Sequence, residues 1–408
     1  MNIGYGRTEI AEAARIAIER FGYYHLFGHA SNEAIIRLAD RVLHLLQEQT
    51  NSTHFSKVFF GCSGSDANDT NFKIVHYYNN LRGRPNKKKF ISRIGAYHGL
   101  SYASASLTGI EAYHKAFDLP IDSVLHTSCP HYYRFHKEEE TEVQFCDRMI
   151  RDLTDLIARE GADNIAAFIA EPIMGTGGVL LPPQDYFKRV QEILKKNEIL
   201  FIVDEVITAF GRTGHWFASG HYNLKPDIIT LAKGITSAYF PVSASVLSEK
   251  IWDVLFMASP EMGPVMHGYT YSGHPVGGAI GLVNLDIIER ESLIDNSREV
   301  GAYFLQRLKD SISDHPYVGD VRGQGLMMAV ELIADRKTRR PFNPEAGVQR
   351  LIVGKCIEQG IFTRVLPFIE VIPFSPPLCM TREEADEAIE RYTRAMNEAI
   401  PELKILAK

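Results

Sequence analysis

Ile228-Ile229-Thr230-Leu231-Ala232-Lys233-Gly234 decides how this chain is read: an apolar run of strand character that ends in a lysine and a glycine. A lysine carried by a buried strand to its carboxyl edge is costly to desolvate unless it has a role there. That edge is where open α/β sheets hold their ligands. Upstream, Ile199-Leu200-Phe201-Ile202-Val203 ends the same way, in Asp204-Glu205-Val206. Two parallel strands, one ending in a carboxylate and the other in an amine, suit an enzyme that grips a pyridinium nitrogen and forms a Schiff base with the attached aldehyde. The cofactor so implied is pyridoxal phosphate (PLP). Taken alone, the pair serves equally well as a buried Asp–Lys ion pair at a sheet edge.

A phosphate needs an anion site, and Phe60-Gly61-Cys62-Ser63-Gly64-Ser65-Asp66-Ala67-Asn68-Asp69-Thr70 supplies a candidate. Gly64 permits a tight turn, Ser63 and Ser65 offer hydroxyls, and residues 66 to 78 read as a helix, which would put the phosphate at a helix N-terminus. The helix dipole contributes only about 0.3 to 2 kcal/mol, so amide and hydroxyl hydrogen bonds must do most of the holding. An ordinary N-cap would leave the same trace. Ala96-Tyr97-His98-Gly99 follows the strand-like Lys89-Phe90-Ile91-Ser92 and sets an aromatic ring at another strand end. Tyr97 can stack on a planar cofactor with Val206 against the opposite face, or it can be a core tyrosine.

These pieces occur together and in order, along with Ala170-Glu171-Pro172, Phe210-Gly211-Arg212-Thr213-Gly214 and His267-Gly268-Tyr269-Thr270-Tyr271-Ser272-Gly273-His274-Pro275. As a set they resemble the class III aminotransferases. Thr127-Ser128-Cys129-Pro130-His131-Tyr132-Tyr133-Arg134 and Ser375-Pro376-Pro377 are similar to the pyruvate-dependent omega-transaminases within that class. The resemblance implies PLP fold type I, an α/β architecture with a large, doubly wound, mostly parallel sheet domain and a smaller α+β domain.

The resemblance also implies roles. Lys233 would form the internal aldimine and Asp204 would hold the pyridinium proton, with Tyr97 completing the catalytic set. Gly64 and Ser65 would bind the phosphate, Tyr97 and Val206 would sandwich the ring, and His98 belongs to the same cofactor-binding group. Thr270 would reach the phosphate of the neighbouring subunit, so the protein is expected to be a homodimer with shared active sites. Arg364 matches a mobile arginine that takes a substrate carboxylate, and Leu26, Phe27 and Leu100 complete the expected substrate set. The small-molecule partners would be a primary amine or omega-amino acid and a keto acid, with pyruvate expected. Decarboxylase, aminomutase and racemase chemistry on the same constellation stays open, as does a cofactor-holding relative with little turnover.

The chain departs from the pattern at Asp66, where Glu is usual, and at Asn71, where many relatives place Ala. Met1-Asn2-Ile3-Gly4-Tyr5-Gly6-Arg7 resembles a stretch that in relatives follows several dozen residues of helix and strand. A small domain truncated at its N-terminal part is therefore expected, lacking some aromatic walls of the substrate pocket. Gly4-Tyr5-Gly6 is not a dinucleotide loop, because no strand precedes it.

Composition agrees with this reading without generating it. With 408 residues, 45% hydrophobic and 23% charged, the chain can bury a large core and divide into two domains. A net charge of −6 gives no electrostatic reason to expect nucleic acid or an anionic membrane. Five scattered cysteines without a C-x-x-C pair suit a reducing compartment and no structural metal, so a cytoplasmic protein is expected. Strand-like and helical segments alternate from about residue 55 to about 280. From this the large domain is placed at 51–284 and the small domain at 1–50 and 285–408. Within the latter, 293–312 and 382–399 read as amphipathic helices flanking a strand at 325–332. The physiological amine, its stereochemistry and the true start of the chain are not legible at this stage.

Overall fold

The computed structural model describes residues 1–28, 30–50 and 54–408; the expected domain boundary at residue 51 lies outside the described residues. A seven-stranded sheet runs in the order β1-β7-β6-β5-β4-β2-β3. Its strands are β1 (Phe55–Gly61), β2 (Lys89–Arg93), β3 (Val124–Thr127), β4 (Ile165–Ala170), β5 (Leu200–Asp204), β6 (Ile228–Leu231) and β7 (Ser243–Ser248). β2, β3, β4, β5 and β6 pair in parallel, whereas β7 is antiparallel to both β6 and β1.

The central strands are apolar without a break because both faces are covered. Along β4 and β5 the side chains still alternate. Phe168, Phe201 and Val203 face a layer with Phe145, Met149 and Phe187. Ile169, Leu200 and Ile202 face the opposite layer with Phe72, Val75 and Tyr78. The first layer comes from the helices Glu142–Glu160 and Tyr186–Lys196, the second chiefly from α3 (Gly64–Leu81). That arrangement aims the carboxyl ends of β4, β5 and β6 at one crevice.

A second sheet, antiparallel in the order β10-β9-β8, comprises β8 (Val318–Gln324), β9 (Met327–Leu332) and β10 (Val371–Phe374). Helices Leu293–Ile312 and Arg382–Glu398 cover it, burying Phe304, Leu308, Ile389, Tyr392 and Met396 among Val330, Leu332, Ile372 and Phe374. Helices α1 (Thr8–Phe21) and α2 (Glu33–Thr50) pack against helix Pro275–Arg290, and α2 also lies on β1.

Between the two sheets lies a knot of buried charge. Glu331 on β9 is fully buried and accepts from His131 Nε2 at 2.8 Å, Arg134 Nε at 2.7 Å and Arg322 Nη1 at 2.6 Å. Arg322 also donates to the carbonyls of Gly178 at 2.7 Å and Val179 at 3.0 Å. Burial works to raise the Glu331 carboxyl, but Arg322, His131 and Arg134 outweigh it and leave it lowered to about 2. His131 is thus a hydrogen-bonding member of this knot.

Candidate active site

The ends of β1, β4, β5 and β6 and the turn after β2 enclose a cavity of about 90 Å³, lined by residues that include Gly64, Ser65, Tyr97, Asp204, Val206 and Lys233. Lys233 leaves β6 in the left-handed region, with φ 40°, and opens a short 3-10 turn. Such a conformation in a residue with a side chain costs on the order of 1 to 3 kcal/mol and points to a function that fixes it. The side chain is exposed to the cavity, and its ammonium has no hydrogen bond or ion pair among the described residues. Burial by the surrounding walls is the main cause that lowers its pKa; Asp204 and Glu171 oppose the shift, and Arg364 adds to it by like charge.

Asp204 ends β5 as a nearly buried carboxylate held from several sides. Its Oδ2 accepts from Asn68 Nδ2 at 2.8 Å and His98 Nδ1 at 2.9 Å, and its Oδ1 accepts from the Val206 amide at 3.0 Å. A carboxylate only accepts, so His98 donates through Nδ1, and its Nε2 is buried without a partner. Asn68 in turn is fixed by Thr230, whose hydroxyl donates to Asn68 Oδ1 at 2.8 Å and accepts from Asn71 Nδ2 at 2.8 Å. Asn71 therefore supports this chain of polar contacts from a buried position on α3.

The turn before α3 is built by a capping box. Ser63 Oγ accepts from the Asp66 amide, and Asp66 Oδ2 accepts from the amides of Cys62 and Ser63. Asp66 also accepts from Ser243 Oγ through Oδ1, tying the turn to β7. The helix thus begins at Gly64, two residues before the start expected from sequence, with Ser63 as its cap. The amides of Gly64 and Ser65 then donate to no protein acceptor among the described residues. Opposite them, Gly99 has φ 130°, and a Cβ there would stand 2.5 Å from Ser65 Oγ and 2.6 Å from Ser104 Oγ. Free amides, a hydroxyl and a cradle that a methyl group would fill suit a phosphate.

Glu171, at the end of β4, was quoted in a sequence motif but given no role. Its two oxygens accept from the amides of Tyr97 at 3.0 Å and Gly175 at 2.8 Å, clasping two loops that border the cavity. Burial raises its carboxyl pKa, and Asp204 adds to the rise. Asn68 was also missed. The signal available was a polar residue on the apolar face of α3, beside Ala67, Asn71 and Val75.

Other expected site residues lie elsewhere. Leu26 packs against Gly273 and Phe27 against Gly268. Leu100 exposes its side chain while its amide donates to Ser65 Oγ at 3.1 Å. Thr270 is exposed, outside the cavity lining of its own chain, with its carbonyl accepting from Tyr23. Arg364 is exposed and its guanidinium has no partner among the described residues, yet its charge is felt at Lys233 and Tyr97. The Tyr97 phenol is raised by burial and by Tyr113, with Arg364 pulling it down. Among the described residues no group of three His, Cys, Asp or Glu side chains could hold a metal ion, and no helix is long and apolar enough to cross a membrane.

A family model described as aminotransferase class-III matches residues 1–396. The chain is 47% identical over 399 residues to a diaminobutyrate–2-oxoglutarate transaminase of Halomonas elongata, covering 97% of this chain and 84% of that protein. It is 44% identical over 405 residues to gamma aminobutyrate transaminase 1, mitochondrial, of Solanum lycopersicum, covering 98% of this chain and 77% of that one. Among solved structures, the omega transaminase from Pseudomonas jessenii in complex with PMP is similar with a TM-score of 0.94 and 40% identity, over 98% of this chain and 87% of that one. The lone lysine, the braced carboxylate and the free amide cup thus have their family: the chain belongs to the class III aminotransferases, which use pyridoxal phosphate.

Proposed function

We propose that this aminotransferase moves an amino group from a primary amine or omega-amino acid to a keto acid, with pyruvate as acceptor. The carrying observation is Arg364, an exposed guanidinium without a partner among the described residues, on a loop seated against Gly95 and Gly178 beside the cavity. The cavity lining itself contributes two carboxylates, Asp204 and Glu171, and no arginine. One free arginine suits a monocarboxylate such as pyruvate. A dicarboxylate is the second reading, favoured by the relative named for 2-oxoglutarate, and it would need a further cation from outside this set.

In this reading Gly64 and Ser65 hold the phosphate, Tyr97 and Val206 flank the ring, and Asp204 keeps the ring nitrogen protonated. His98 and Asn68 fix Asp204 for that purpose. When bound, PLP supplies the electron sink that lets the amine-bearing carbon lose a proton. Lys233 would hold the cofactor at rest and, once the substrate amine has displaced its Nζ, would take that proton there, its ammonium pKa being lowered by burial. Thr270, exposed and outside its own cavity, completes the neighbouring site of a homodimer.

Only the acceptor has a carboxylate when the donor is a simple amine, so Arg364 serves one half-reaction. A charge-assisted contact contributes about 1.5 to 3 kcal/mol, so Arg364→Ala should raise the pyruvate KM roughly 10- to 150-fold. Single-turnover reaction of the PLP form with a carboxylate-free amine should stay near wild type. Arg364→Lys should recover only part of the loss, because an ammonium cannot fork onto two oxygens. Equal loss in both halves would remove Arg364 from this role. A higher kcat/KM for 2-oxoglutarate than for pyruvate with the same donor would favour the second reading.

A further inference from the structure

We infer that Gln349 is a positioning residue for Arg364. The inference rests on the carboxylate role proposed for that arginine. Arg364 lies in the irregular segment 361–370, between helix Val348–Glu358 and β10. On its leading side, Thr363 Oγ1 donates to the Pro373 carbonyl at 2.8 Å, fastening the segment to β10. On its trailing side, the Gln349 side chain makes three contacts. Its Nε2 donates to the carbonyls of Leu366 at 3.0 Å and Ile369 at 3.1 Å, and its Oε1 accepts from the Leu366 amide at 2.8 Å.

Those anchors leave only Arg364 and Val365 between them, both exposed. Beyond them, Leu366 and Ile369 are buried with Met174, Val179 and Met327. Phe368 stands against Gly95, where a Cβ would come within 2.5 Å of its ring, and Ile369 stands against Gly178. Gly95 precedes Tyr97 by two residues, so the trailing limb is seated on the wall that carries the cavity's aromatic ring. Gln349 satisfies three backbone groups that this seated limb cannot pair within itself. A guanidinium on a four-rotor side chain gains reach at the expense of order, and a pinned backbone restricts that disorder to the side chain. The switch between holding and releasing a carboxylate is then a rotamer change on a fixed stem.

The test uses full-length holoenzyme with pyruvate as acceptor and a carboxylate-free amine as donor. Gln349→Ala should raise the pyruvate KM about 2- to 10-fold, the range expected for lost neutral hydrogen bonds. Single-turnover reaction with the amine should be unchanged, and the Leu366 amide, having lost its acceptor, should exchange hydrogen faster. Gln349→Glu retains that acceptor but offers no donor to the two carbonyls, so it should fall between wild type and Gln349→Ala. On an Arg364→Ala background, Gln349→Ala should add nothing to the acceptor defect. A full additional loss there, equal slowing of both half-reactions, or unchanged Leu366 exchange overturns the assignment. Failure of the underlying reading looks different: Arg364→Ala alone then slows both halves equally, and both proposals fall.

Discussion

Two groups of buried charge stand at opposite ends of residues 171–180, and they are built on opposite principles. At one end Glu171 faces a cavity in which Lys233 has carboxylates nearby and no partner in contact among the described residues. At the other end the carbonyls of Gly178 and Val179 accept from Arg322, inside a knot where Glu331 receives hydrogen bonds from His131, Arg134 and Arg322. Both groups carry the desolvation penalty of ionised side chains. In the knot, charge pairing offsets that penalty and locks two sheets together. In the cavity the penalty stands as a lowered ammonium pKa, which raises the share of free amine that can act as a base and a nucleophile.

The widest separation between the two groups should come from Lys233→Ala. It should lose at least roughly 10² to 10⁴-fold in turnover, and borohydride should no longer leave the cofactor covalently attached at this position. In the cofactor-free protein its unfolding free energy should match or exceed wild type, because the ammonium it removes has no hydrogen bond or ion pair among the described residues. A clear loss of stability would mean that Lys233 is paired in the folded protein.

Glu331→Ala should do the reverse in the knot. It takes the buried carboxylate from two arginines, leaving Arg322 with Asp320 and Arg134 with the more distant Glu370, and should cost about 3 to 5 kcal/mol in denaturant unfolding. A loss under 1 kcal/mol would mean that water reaches the knot.

Acid should then titrate one group selectively. Glu331 is held below the ordinary carboxyl value, so the unfolded chain binds its proton first as pH falls. The stabilisation is complete above the ordinary carboxyl range and is lost as pH drops toward about 2. Wild type should therefore lose about 3 kcal/mol more than Glu331→Gln between about pH 5 and about pH 2. Parallel acid limbs in the two proteins would count against it.

The smallest effect sharpens the boundary between the two designs. Thr230→Val leaves Asn68 Oδ1 and Asn71 Nδ2 without a partner behind Asp204, and should cost about 1 to 3 kcal/mol, because these groups are neutral. A penalty as large as that of Glu331→Ala would show that Asp204 draws structural support of the ionic kind from this relay.

The cavity was legible where local pattern and tertiary role coincide. Asp204 and Lys233 end apolar runs, and a charged residue closing such a run has few places to go except a strand end. Ser63 to Asp66 read as a helix entrance, although its start was placed two residues late. Asn68, Asn71 and Glu171 escaped. A polar residue on a helix reads as solvent-facing until the fold shows what lies above it, and their partners are thirty to more than a hundred residues away. Leu26, Phe27, Leu100 and Thr270 came from family pattern alone; within this chain Leu26 and Phe27 pack against Gly273 and Gly268, and Leu100 and Thr270 are exposed.

The reversed direction of β7 has a consequence in time as well as in space. β1 leads directly into the free amide cup at Gly64 and Ser65, but its pairing partner arrives late: Phe55 meets Ser248, and Asp66 meets Ser243. On a ribosome adding ~5–20 residues per second, the interval is on the order of ten to forty seconds. Until then β1 has an unpaired edge and the cup has no floor, a slow non-local closure of the kind that exposes nascent chains to aggregation. Cofactor capture is therefore a late event in the life of each molecule, and chaperone occupancy during synthesis should concentrate on that waiting edge.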